Sequence, residues 1–487
     1  MPETTAKQPT PEYQAYSSFA SGKHKGKKHI IIVGAGIIGV CTAFYLTRHP
    51  NFDPKTHHIT IIESKRVAGG ASGKAGGLLA LWAFPQQIVP LSFKLHNDLS
   101  DEFGGEKEWG YRRLTTISLE GDISSTNTAK ELLTQEVTSP KSIPMNQEKN
   151  SIRIENASEQ FPQLPADLNW INPGIIKEWN HLGNESTTAQ VHPYQFTTFI
   201  LRKCIETGAV ELIIGKVDDI LFDEETSECN GVSYYPSSTK ATYDKIDQSK
   251  LELHGDHIVL TIGPWTSKIL PDCPISGLRA HSITVAPQDS TKVSPYAIFT
   301  ELKMSKTKFV SPEMYARKDE VYICGEGDTS VPIPETTDDV EIVAEKCDEL
   351  FKYVSRVSTN LGLGKILKRQ ACYLPVLDIP SSSGPLIGET NVKNLYLASG
   401  HSCWGINNAP ATGLLMSELL LDGKAQSCDI SALDPSLYFD ASLIYDSEYS
   451  SSAEAAAEEE EDDEDEDEDE EDEEEEEEGD NVYTQDN

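Results

Sequence analysis

The 487-residue sequence has no C-x-x-C pair and no lysine or arginine from residue 449 onward. It also lacks any apolar run of the roughly 20 residues that a spanning helix needs. Each absence removes a class of protein. Nine cysteines, at 41, 204, 229, 273, 324, 347, 372, 403 and 428, make an odd and scattered set in a long chain. That pattern argues against a disulfide framework and for a reducing compartment. No histidine and cysteine grouping has ligand spacing, so no metal is expected. Residues 1–28 lack the apolar core of a secretory signal and make a poor mitochondrial presequence, so a cytoplasmic location is expected.

The shortage of basic residues belongs mostly to the tail. Formal net charge is −38, yet residues 449–487 hold 24 acids, which leaves −14 on residues 1–448. Glu458–Glu478 is an unbroken acidic run that repels itself and buries nothing. A disordered tail is expected there, either solubilising or docking onto a basic protein partner. Nucleic acid is not expected as a partner, because like charges repel.

What is present begins at residue 29. HIIIVGAGIIGVCTAFYL reads as a buried parallel strand over Ile30–Val33, a tight turn at Gly34 and Gly36, and a helix whose first turn holds Ile37, Ile38 and Gly39. In a dinucleotide fingerprint the first glycine permits the turn, the second admits a pyrophosphate, and the third lets helix and strand pack closely. The helix N-terminus then presents N–H groups and a partial positive charge to a phosphate. A second apolar run, HHITIIESKR, ends at Glu63 and Ser64, where an acid accepts hydrogen bonds from an adenosine ribose.

The fingerprint alone does not separate NAD from FAD. Three later segments favour FAD. RVAGGASGKAGGLLA, residues 66–80, is a second loop of small residues that includes Ser72, Gly73, Lys74, Gly76, Gly77 and Leu78. Such backbone suits an extended ligand, with Lys74 either balancing phosphate or sitting in water. LHGDHIVLTIGPWTSKIL is a buried strand ending at Gly263-Pro264-Trp265, preceded by an antiparallel meander with an Asn230-Gly231 turn signal. Val217 in that meander either meets an adenine edge or is an ordinary sheet residue. NLYLASGHSCWGINNAPATG gives a strand over Asn394–Ala398, then Gly400, His401, Cys403 and Trp404, then a helix with Pro410 expected at its first position. Its positive end suits the pyrimidine side of a reduced flavin.

In this order GAGIIG, ASGKAGG, VLTIGPW, PLIGE, LYLASGH and APATG resemble the D-amino-acid oxidase-like family of FAD-dependent oxidoreductases over roughly residues 29–425. The resemblance implies an α/β fold: a Rossmann-type FAD domain with an interleaved substrate domain on a mainly antiparallel sheet. By that likeness Gly34, Gly36, Gly39, Glu63, Ser72, Gly73, Val217 and Gly263 hold adenosine and pyrophosphate, while Gly400, His401, Gly405 and Thr412 approach the isoalloxazine. It further implies a small amine or amino-acid-like substrate. QACYLPVLD with GHSCWGINNAPATG is similar to a subgroup of fungal and plant oxidoreductases, one fungal member being associated with endosome-to-Golgi traffic. This implies a late-endosomal association and leaves a flavin-bound trafficking module as the alternative to an enzyme.

The departures concern substrate. Amino-acid-oxidising relatives often carry an arginine before the proline where this chain has Leu374-Pro375. Arg279, Arg317 and Arg369 are the candidates to replace that clamp. Cys372 is either a covalent flavin site or a buried free thiol. His281, His401 and Trp404 are the candidates for substrate contact. The expected organisation is a flexible segment 1–28; FAD-domain parts 29–100, 191–270 and 366–425; substrate-domain parts 101–190 and 271–365; an extension 426–448; and the tail 449–487.

Overall fold

The run of isoleucines at 30–32 forms the strand Lys28–Val33, and each of its last five residues is buried. In the computed structural model, which describes residues 16–125, 163–237, 249–380 and 384–444, this strand sits near the middle of an eight-stranded sheet. The sheet order is Leu251–His254, Cys229–Pro236, Val210–Phe222, His57–Glu63, Lys28–Val33, His257–Leu260, Leu395–Ser399, Leu386–Glu389. The central pairs are parallel and both edges are antiparallel. Strands buried on two faces read as continuous apolar runs, which is why VLT, IIIV and LYLAS were visible as strands.

The helices Ile37–Arg48 and Gly405–Asp422 cross over one face of this sheet. Their contact requires Gly413, whose added Cβ would stand 2.5 Å from the Cys41 carbonyl carbon. The glycine of the APATG motif therefore allows two backbones to touch.

A second sheet runs Lys365–Leu377, Ile275–Ala286, Val321–Asp328, Glu313–Ala316, Tyr296–Lys303, Thr115–Asp122, Ile176–Gly183. It is mixed, which corrects the expectation of a mainly antiparallel substrate sheet: Tyr296–Lys303 and Thr115–Asp122 pair in parallel from Tyr296↔Thr115 to Lys303↔Asp122. The chain leaves for the first sheet between those two strands, and so long a connection lets it return in the same direction. Lys365–Leu377, read from sequence with the closing FAD segment, belongs to this sheet. The helix Ala344–Val357 covers its outer face, where Ile283, Val285, Val354 and Leu361 form part of one core.

Two local readings change. Asn230 and Gly231 lie inside the strand Cys229–Pro236, and the hairpin turns instead at residues 223–228. Gly231 is needed because an added Cβ would meet the Leu253 carbonyl oxygen at 2.6 Å. The last helix begins at Gly405, so Pro410 lies inside it. Proline leaves the carbonyl four residues earlier without its N–H donor, and the Ile406 carbonyl oxygen is instead 2.9 Å from His96 Nε2. Ser92 Oγ likewise accepts from the Ala411 N–H at 3.1 Å. The helix stops at Asp422, with Gly423 left-handed at φ 75°.

Within the segment expected to be flexible, residues 16–28 are placed: Ser17 bridges to Ile213, and the His24 ring stacks on His29 at 4.5 Å. The acidic tail, 449–487, lies outside the described residues, as do residues 445–448 of the extension.

Candidate active site

The ends of the parallel strands open into one cleft with about 1300 Å³ of free space, counting the part open to solvent. Gly34, Gly36, Ile37 and Ile38 line it from the first turn, and Glu63, Ser64 and Val217 from the neighbouring strands. Ser72, Gly263, Trp265, His401 and Gly405 complete the predicted residues that it gathers.

Gly34 turns at φ 104°, a conformation that favours glycine, and its N–H donates to the Ile62 carbonyl at 2.7 Å. Gly39 is a packing glycine: a Cβ there would lie 2.2 Å from the Gly34 carbonyl oxygen and 2.5 Å from Thr261 Oγ1. Gly36 differs, since its Cβ would meet only Ser72 Oγ, at 3.1 Å. The helix that follows has no acidic side chain in its first turn and no side-chain cap from Gly36. Ser72 Oγ accepts from the Ile37 N–H at 2.9 Å. This open, positively polarised terminus suits a phosphate.

Glu63 is buried at the strand end, where Oε2 accepts from the Ala35 N–H at 3.0 Å and Oε1 from Lys65 N–H and Ser64 Oγ, each at 3.1 Å. Burial pushes its carboxyl up, against the pull of those N–H groups. Two hydroxyl donors from a ribose would relieve that desolvation.

At the other end His401 is 3 % exposed. Its Nε2 lies 3.1 Å from Thr412 Oγ1, which is 3.0 Å from the Asn408 carbonyl. The Thr412 hydroxyl bridges the imidazole and that carbonyl; with its proton on the carbonyl side, Nε2 carries the ring proton and Nδ1 keeps a lone pair. Burial lowers the imidazole to about 3, which holds it neutral.

Other predicted residues are placed elsewhere. Gly73, Gly76 and Gly77 pack against protein: their Cβ atoms would strike the Ala68 carbonyl, the Tyr315 ring and the Val191 carbonyl at 2.2, 2.3 and 2.1 Å. Leu78 joins the core beneath the loop. Lys74, lowered by burial, lies toward Cys372. Gly400 is left-handed at φ 82° and faces Ile275, while Thr412 acts through His401. Trp404 stacks edge-on with Trp82 at 5.4 Å, and its Nε1 is buried without a partner. His281 accepts from the Val343 N–H at 3.0 Å, on the outer face of the second sheet. Cys372 is buried, is in no disulfide among the described residues, and has its thiol pushed up to about 11 by burial.

None of the three candidate arginines is available as a clamp. Arg279 pairs with Asp328 and Glu341, Arg317 with Glu320 and the carbonyls of Ala75 and Gly76, and Arg369 with Asp348. Leu374 and Pro375 do line the cleft. Sequence reasoning missed Glu335 and Thr337, which reach the cleft from residues 331–343, where Glu335 pairs with Lys216 and Lys268. No local pattern marks them. Thr261 was within reach, being two residues ahead of Gly263; its Oγ1 donates to the Val33 carbonyl at 2.8 Å.

A glycine turn, an open helix terminus, a strand-end acid and a second sheet closing the far end define a dinucleotide-binding oxidoreductase. Residues 29–419 match the family described as FAD dependent oxidoreductase, and the chain belongs to it. TDA3 of Saccharomyces cerevisiae, which bears the name of an oxidoreductase, is 50 % identical over 89 % of this chain and 98 % of its own. C1F5.03c of Schizosaccharomyces pombe, also named an oxidoreductase, is 34 % identical over 84 % and 98 %. Two solved structures share the fold. Glycine oxidase from Geobacillus kaustophilus has TM-score 0.57 and 16 % identity, covering 84 % of this chain and 98 % of its own. Iminodiacetate oxidase from Chelativorans sp. BNC1 has TM-score 0.56 and 18 % identity, covering 83 % and 98 %. The cofactor is FAD. The cleft fits it in the space beside Gly36, in the helix terminus beside that glycine with the Ser72 hydroxyl at its mouth, and in the buried Glu63 carboxylate at the neighbouring strand end.

Proposed function

We propose that the protein oxidises a small amine or amino-acid-like molecule at the His401 end of the cleft. FAD supplies a hydride acceptor when bound. Around it the Ile38 N–H and the Ser72 hydroxyl would hold the pyrophosphate, Glu63 the ribose, and Val217 the adenine side. Gly34 and Gly263 let the backbone come close, and Gly405 with His401 border the isoalloxazine. Leu374, Pro375 and the second sheet exclude water from the reacting carbon, which favours a substrate amine bound uncharged.

The observation that carries this reading is His401: a buried histidine, held neutral and anchored to Thr412, lines the cleft where the two sheets meet. Its Nδ1 lone pair can orient a substrate N–H without introducing charge. The experiment is anaerobic mixing of the yellow protein with amines, N-methyl amino acids and amino acids. Bleaching of the flavin by a member of the panel is expected; a flavin that stays oxidised with all of them contradicts the proposal.

A further inference from the structure

Next to the cofactor cleft, the second sheet holds a carboxylate inside a group of aromatic rings. Glu313 pairs across the sheet with Phe299 and Cys324. Its Oε2 accepts from the Tyr315 hydroxyl and lies 3.6 Å from the Cys324 thiol. Among the described residues no cationic side chain pairs with it. Burial pushes its carboxyl up, with only those two neutral donors opposing.

The rings pack one against the next in a row that ends beside this carboxylate. Trp82 lies 6.1 Å from Phe299, Phe299 lies 5.9 Å from Tyr315, and Tyr315 stacks on Tyr322 at 5.8 Å. Trp82 is 38 % exposed, so the row begins at the surface. It also reaches the reaction end of the cleft: Cys403, which lines the cleft, has its thiol pushed up by burial and then by the charge of Glu313.

We propose that Glu313, with the faces of Trp82 and Phe299, selects an alkylammonium cation, so that the substrate is a diamine or polyamine rather than an amino acid held by its carboxylate. This rests on the amine-oxidising reading above. Aromatic faces attract ammonium groups, and the attraction grows where water is excluded. An amino-acid carboxylate would meet the Glu313 carboxylate, and Arg279, Arg317 and Arg369 are each held by acidic partners. Hydride loss requires an uncharged amine at the reacting carbon. A molecule with two nitrogens satisfies both conditions, one held as a cation at Glu313 and the other uncharged beside His401.

The test uses the FAD-loaded full chain without oxygen. 1,4-Diaminobutane, sarcosine and butyrate are titrated separately while tryptophan fluorescence and flavin absorbance report binding, and flavin bleaching reports oxidation. 1,4-Diaminobutane is expected to bind, and sarcosine and butyrate to bind at least tenfold more weakly. Glu313→Gln should weaken diamine binding roughly tenfold or more, the factor that follows from losing one charge-assisted contact, with FAD retained. Phe299→Leu, read the same way, serves if Glu313→Gln does not fold. Sarcosine or butyrate binding as tightly as the diamine, or diamine affinity unchanged in these variants, overturns the inference. Glu313-dependent diamine binding with no bleaching supports the recognition site and contradicts amine oxidation. Sarcosine bleaching the flavin equally in Glu313→Gln supports amine oxidation and overturns the recognition site.

Discussion

His401 Nε2 stands 3.1 Å from Thr412 Oγ1, one helical turn after the Asn408 carbonyl to which that hydroxyl donates. The pair ties the cleft wall to the buried helix. Thr412→Val leaves the buried imidazole Nε2 without its hydrogen-bond partner, at an expected cost of about 1–3 kcal/mol. Thr412→Ser retains the contact and should stay near wild type in thermal melting. Equal stability of the two variants contradicts the assignment.

Gly36 and Gly39 are predicted to fail differently. Gly39→Ala drives a methyl into the Gly34 carbonyl and Thr261, so loss of soluble folded protein is expected. Gly36→Ala meets only the tip of Ser72, so the chain should fold but bind FAD much more weakly. Circular dichroism with a flavin absorbance ratio separates the two outcomes.

Glu63→Gln replaces one accepting oxygen with an NH2 group that faces buried donors, so stability without FAD should fall by about 1–3 kcal/mol in thermal melting. FAD affinity should fall at least about tenfold, through the lost charge-assisted contacts to ribose. Isothermal titration of the FAD-free protein measures it; undiminished affinity contradicts the role.

His96 compensates for Pro410. Because Pro410 cannot donate to the Ile406 carbonyl, His96→Leu should destabilise by about 1–3 kcal/mol. Pro410→Ala restores the missing N–H, so the double variant should recover part of the loss. Additive losses in chemical denaturation would contradict the compensation.

Acid sensitivity follows from the same histidines. Burial lowers His29 and His96 to about 4 and His401 to about 3. A histidine depressed on folding contributes fully above its unfolded value near 6.5 and loses that contribution as pH falls, at about 1.4 kcal/mol per pH unit each. Glu63 and Glu313, raised by burial, act in the opposite sense, so the net slope is shallower than the histidines alone require. His96→Gln keeps a donor for Ile406 and cannot titrate. Its stability should fall less steeply between pH 6 and 4.5; an unchanged slope contradicts the assignment.

The nucleotide end was legible because its determinants are local. Gly34, Gly36, Gly39 and Glu63 lie on one strand-turn-helix-strand unit, where spacing alone places them. Glu335 and Glu313 were not legible, since each arrives through pairing between distant segments that leaves no periodic mark. His281 shows a parity limit. Alternate residues of a strand face opposite sides, so His281 points to the outer helix while Ser282 hydrogen-bonds Gln370 at 3.1 Å toward Tyr322. Pro410 misplaced the helix start because its missing N–H was assigned to a first turn, whereas His96, more than 300 residues away in sequence, takes up the freed carbonyl.

The central claim is that one cleft, built from four separated stretches of chain, holds FAD. Purified protein soaked in excess FAD and passed through gel filtration tests it most directly. Flavin absorbance co-eluting at one FAD per chain, and reduced by Glu63→Gln, is predicted. Protein that elutes folded and colourless would contradict the account.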